Sequence, residues 1–104
     1  MTNQPETSAP LYSKVNRETA KIAWKELQVH FASGNTVFVD GSLDLVEVAV
    51  AMSEDSKSIL EEMMAQGKVG HVTDTQAEAW LKQDALLWAV VIRPWVLVQP
   101  IENE

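Results

Sequence analysis

Cysteine is absent from the 104 residues. That excludes disulfides, thiolate metal sites and a cysteine nucleophile, and it suits a reducing compartment. Bases are scarce: eight lysines and arginines face fifteen acids, for a formal charge of −7. Phosphate backbones are held by cations that displace counterions, so nucleic acid is disfavoured as a partner. Glycine is sparse too. Gly34, Gly41, Gly67 and Gly70 are scattered as stops and turns, leaving no phosphate loop, dinucleotide fingerprint or nucleophile elbow. The opening MTNQPETSAP lacks the basic start and apolar stretch of an export signal, so a cytoplasmic protein is expected.

What is present fits one domain that can bury a core without staples. Residues 1–9, rich in Thr, Ser, Asn and Pro, read as a disordered lead, 10–100 as a single domain and 101–104 as a frayed tail. Seven acids between Asp40 and Glu62 face only Lys57. Solubility accounts for such a charge, and an acidic docking face is the sharper alternative.

The segment PLYSKVNRETAKIAWKELQVHFASG carries apolar residues at helical spacing, from Leu11 and Val15 through Ala23 and Leu27 to Phe31. Ser8 is placed to cap this helix, Pro10 suits its first turn and Gly34 its stop. TVFVD then reads as a buried strand ended by Asp40-Gly41. The stretch SLDLVEVAVAMSED admits two readings. Val46, Val48 and Val50 alternate as in a strand, whereas Asp44, Glu47, Glu54 and Asp55 fall on one stripe of a helix, which favours helix. Ser42 is its expected cap. A second helix, SKSILEEMMAQ, follows, with Asp55 as cap, Ile59, Leu60 and Met63 inward and Gly67 as stop. KVGHV reads as a short strand. TDTQAEAWLKQD opens on a capping box, Thr73 with Gln76, and presents Ala77, Trp80 and Leu81 on one face.

The closing run LLWAVVIRPWVLVQP, from Leu86 to Pro100, is too short for a transmembrane helix, and Arg93 and Pro94 interrupt it. No membrane association is expected. Its β-branched and aromatic content favours strand. The common two-residue hairpin turns need positive φ, which proline cannot adopt, so one strand bent at Pro94 is expected. On that strand Trp88 and Trp95 fall on opposite faces, both apolar, and covering the second face is expected to need a partner subunit. The order α-β-α-α-β-α-β defines a small α+β domain: a short sheet with a long bent C-terminal strand packed by helices. A helix pair followed by a strand also suggests a winged helix, but no helix carries the bases needed to read DNA.

Chemistry is thinly represented. Glu26 and His30 fall one turn apart on the first helix and Glu18 two turns before Glu26, where two carboxylates and an imidazole could hold a cation, but the paired Glu-x-x-His units of di-iron sites are absent. Ion pairs with Lys14, Lys21 and Lys25 account for them as well. Asp44 and Glu47 open the next helix, where acids complement its dipole. These five residues are the candidate polar site. No catalytic set, metal site or cofactor is assigned. Trp88, Arg93, Trp95 and Leu97 are the candidate interface, tryptophan being enriched at interaction hot spots.

The motifs ETA-x-I-x-W-x-E-L at Glu18 to Leu27, LDLVEVA at Leu43 to Ala49 and PWVLVQ at Pro94 to Gln99 resemble those of a family of small uncharacterised proteobacterial and cyanobacterial proteins, a domain of unknown function. The resemblance runs from about Leu11 to Gln99. It implies a single-domain cytoplasmic protein and supplies no activity or site residue. The expectation is a non-enzymatic interaction or regulatory module, a homodimer joined through the last strand or its exposed face, or a binder of another protein. A small metal- or metabolite-binding protein or enzyme built on the polar site is the rival, and a winged-helix nucleic-acid binder the third.

Overall fold

In the computed structural model the described residues are 8–55 and 57–101, with side chains from residue 11 onward. The expected lead is outside this range at residues 1–7, as is the tail at 102–104; residues 8 and 9 open the first helix. The chain runs α1 (Ser8–Glu18), β1 (Ala20–Ala23), α2 (Trp24–Ala32), β2 (Thr36–Val39), α3 (Leu45–Ser53), α4 (Lys57–Ala65), β3 (Val69–His71), α5 (Asp74–Lys82), β4 (Leu86–Ile92) and β5 (Trp95–Pro100). The fold is α+β, and the anticipated order survives with two of its members divided. The five strands form one sheet in the order β1-β4-β5-β2-β3, with β2 and β5 parallel and the other pairs antiparallel.

The first division falls inside the expected long helix. The Thr19 hydroxyl donates to the Val15 carbonyl at 2.8 Å, which satisfies a carbonyl of the last turn of α1. Ala20 to Ala23 then pair along β4, from Ala89 to Leu86, and the Trp24 N–H donates to the Ala85 carbonyl at 2.9 Å. This short strand carries the chain from one side of the sheet to the other. Val15 of α1 packs in a cluster with α3, whereas Trp24 and Leu27 of α2 pack in a separate cluster with α5. A straight helix would have left all of them on one side.

The second division is at the bend of the closing run. Arg93-Pro94 is a cis peptide, and the chain reverses there to make β4 and β5 an antiparallel hairpin, Ile92 opposite Trp95 and Leu87 opposite Pro100. The hairpin that proline's φ argued against is therefore present. That argument covered the positive-φ turns and not the type VI turn, which takes a cis proline at its third position. Reversal also resets the alternation. Trp88, Val90 and Ile92 share a face with Trp95 and Leu97, so the two tryptophans lie on the same side rather than on opposite sides.

Both faces of the sheet are covered by the chain itself. Apolar residues of α1, α3 and α4 pack on Val37, Val39, Val90 and Leu97, and those of α2 and α5 pack on Leu87, Ala89, Val96 and Val98. No partner subunit is needed to cover the second face, contrary to expectation. Asp44, not Ser42, caps α3: its Oδ1 accepts from the Val46 N–H at 2.9 Å. The Thr73–Gln76 capping box forms as expected, whereas Leu81 is exposed rather than inward. Asp55 stands before α4 at φ 60, its carbonyl accepting from the Lys57 N–H; Ser56 is outside the described residues. Gly67 at φ 75 and Gly34 at φ 79 end their helices in the left-handed region, as anticipated.

Gln99 is the buried polar fastening of this arrangement. From the central strand its Nε2 donates to the Asp40 carbonyl at 2.9 Å and the Leu43 carbonyl at 2.7 Å, tying β5 to the loop between β2 and α3. Gln99→Leu keeps the volume and takes this partner from the Leu43 carbonyl, while the Asp40 carbonyl keeps the Leu43 N–H, so a loss of about 1–3 kcal/mol is expected in urea titrations. An unchanged midpoint would show that water replaces the amide without penalty.

Candidate functional site

The structure divides the candidate polar residues between the two helical layers. Glu26 and His30 lie on α2, and together with Glu18 at the end of α1 they rim a depression of about 240 Å³ bordered by Ile22, Leu27 and the exposed Val91. Asp44 and Glu47 are on α3, across the sheet. Among the described residues no group of three or more His, Asp or Glu side chains is arranged to hold a metal ion. The five residues therefore do not converge on one centre, as a shared acid–base or metal role would require.

Asp44 is moreover engaged structurally. Besides capping α3 it accepts the Tyr12 hydroxyl on Oδ2 at 2.9 Å, fastening α1 to α3. That hydrogen bond, and next the charge of the same carboxylate, holds the Tyr12 hydroxyl above its ordinary pKa. The contact stabilises the fold below the free tyrosine range and is lost as pH rises through the raised value. Tyr12→Phe should therefore remove part of the alkaline loss of stability, read as a flatter dependence of the urea midpoint on pH. Asp40 is shifted downward, first by its hydrogen bond to Ser42, whose N–H also donates to Oδ2 at 2.9 Å. Its role is to close the loop before α3.

The candidate interface is also rearranged. Leu97 is 0% exposed and cannot meet a partner. Both edges of β5 are already paired, to β4 and β2, so the last strand cannot take a strand from a second copy. Trp88 is half-buried under the Lys21 ammonium, 5.1 Å from its ring centroid. Arg93 is exposed in the turn, and Trp95 is half-buried with its ring edge-on to His71 at 6.1 Å.

Trp95 leads to the feature that sequence reasoning missed. An apolar groove of about 170 Å³ opens between α4 and the sheet, lined by Val37, Val69, Gly70, His71 and Trp95 on one side and by Met52, Leu60 and Met64 on the other. His71 is the one titratable side chain in that lining. Helix α4 has no fully buried residue. Leu60 and Met63 pack on the core beneath it, but Ile59, expected inward, is 48% exposed, and Met64 is 53% exposed. The signal lay in ILEEMM, whose adjacent apolar pairs at 59–60 and 63–64 span a wider arc than one core contact needs. Nothing in the sequence, however, joins α4 to His71 or Trp95.

Among the described residues no helix is long and apolar enough to cross a membrane. The family model described as "Protein of unknown function (DUF2288)" matches residues 10–100, close to the span of the resemblance. The solved structure titled "NMR solution structure of PA1075 from Pseudomonas Aeruginosa" is similar to this chain at 39% sequence identity, with a TM-score of 0.80, covering 99% of this chain and 95% of that one. No curated protein matches the sequence. The chain thus belongs to the DUF2288 family, a family of unknown function.

Proposed function

We propose that the protein is a non-enzymatic interaction module that receives an apolar side chain of a protein partner in the groove beside α4. The observation carrying this reading is the groove itself: an open, apolar recess with two methionines in its wall, Met52 and the half-exposed Met64. Binding sites are concave and mostly apolar, as this recess is. Methionine walls adapt to differently shaped occupants, because the thioether chain is flexible and polarisable. A cavity of about 150 Å³ lined by apolar side chains accepts benzene, so this one has room for about one aromatic or branched side chain. A second copy of the chain would have to supply such an anchor from a surface other than β5.

N-acetyl-phenylalaninamide, a neutral mimic of a side-chain anchor, tests this directly. Titrated at millimolar concentration into ¹⁵N-labelled protein, it should shift the amides of Leu60, Met64, Gly70 and His71 and the Trp95 indole N–H. Shifts confined to the α2–α5 layer, or none at saturation of the probe's solubility, would overturn the reading.

A further inference from the structure

We propose that the groove's partner is a cationic amphipathic segment of another protein, seating one apolar side chain against Leu60, Met64 and Trp95 with lysine or arginine on its flanks. This deepens the groove reading and rests on it. The argument is charge complementarity. The end of α3 and α4, which form one wall, carry Glu54, Asp55, Glu61 and Glu62, all exposed, against the single base Lys57. Three of these acids are close in sequence to the lining. Glu54 and Asp55 follow Met52 by two and three residues, and Glu61 follows Leu60 directly, one turn before Met64. Lys68, just before β3, and Arg93, just before β5, are the other bases beside the lining segments, and they do not reverse the sign.

An anionic partner would meet repulsion from this wall in addition to the overall charge of −7. A cationic one would be drawn in over a distance of about 10 Å at ordinary salt and held by the apolar contact once seated. The division of labour is the usual one, with charges setting encounter rate and partner choice and the anchor setting residence. The low exposure of Leu97 and the pairing of both β5 edges leave this face, rather than the closing run, as the place for such an encounter.

Three dye-labelled helical peptides with the same leucine and phenylalanine positions, flanked by lysine, glutamine or glutamate, discriminate the outcomes by fluorescence anisotropy. The lysine peptide should bind at least about tenfold more tightly than the glutamate peptide, and added salt should weaken it. Met64→Ser should weaken it about tenfold, since the anchor loses its wall. Glu61→Gln combined with Glu62→Gln should weaken it a few-fold, whereas Leu81→Ser, an equally exposed apolar change on α5, should leave it unaltered. If all three peptides bind equally and remain sensitive to Met64→Ser, the groove stands and the cationic partner is overturned. If no peptide responds to Met64→Ser, both fall together.

Discussion

Trp24→Ala is expected to destabilise the protein by about 3–5 kcal/mol, the range for emptying a buried aromatic site. Trp24 is 1% exposed and begins α2. Its ring meets Phe31 edge-on at 5.6 Å and Trp80 edge-on at 5.1 Å, so it joins α2 to α5 within their layer. A domain of this size has about 5–15 kcal/mol of total stability, and the loss would consume a large share of it. Trp24→Phe should cost much less. It keeps a ring between Phe31 and Trp80, and the buried indole Nε1 has no hydrogen-bond partner to forfeit. Urea denaturation followed by circular dichroism measures both variants. A cost below about 1 kcal/mol for alanine would mean that the α2–α5 layer is not packed as described.

Leu97→Ala should cost about 2–5 kcal/mol, and Leu97→Asp should prevent folding by placing an unpaired carboxylate in the core. Leu97 lies on the middle strand of the sheet between β4 and β2, and it is 0% exposed beneath the α1–α3–α4 layer. The contrast with an interface role is sharp. A surface leucine turned to aspartate would leave the midpoint nearly unchanged and alter association alone. Arg93→Ala, in the exposed turn two strand-ends away from that core, should stay within about 0.5 kcal/mol of the native protein. Soluble, cooperatively unfolding Leu97→Asp protein would contradict the sheet order.

The positions where sequence reasoning held are those with strong local chemistry. The Thr73–Gln76 box and the Gly34 and Gly67 stops act over a few residues and each formed, and the segment from Leu45 to Ser53 is the helix expected of it, although of the four acids in the stripe only Glu47 lies within that helix. The misses were long-range. Spacing from Leu11 to Phe31 is helical throughout, and only pairing with β4, more than sixty residues on, withdraws Ala20 to Ala23 into a strand. Alternation carried across Pro94 puts Trp88 and Trp95 on opposite faces, whereas the reversal there resets it and puts them on the same one. The candidate site shows the same division. Apolar excess at Ile59 and Met64 is visible in the sequence, but the groove exists because β3 and β5 bring His71 and Trp95 opposite α4. Glu26 and His30 stayed one turn apart on α2 as expected, and Glu18 joins them from the end of α1 at one depression rather than from the same helix.

The central claim is that β5 is the inner strand of the sheet, paired on both edges, and that association takes place beside α4. Amide hydrogen exchange of the protein, alone and saturated with the lysine-flanked peptide, tests both halves at once. Ala89, Leu97 and Val98 should exchange slowest in the free protein, α4 should exchange early, and the peptide should add protection across α4 and β3, with none along β4 or in β5 beyond Trp95. Fast exchange in β5, or new protection centred on Trp88 to Leu97 with α4 unchanged, would contradict it.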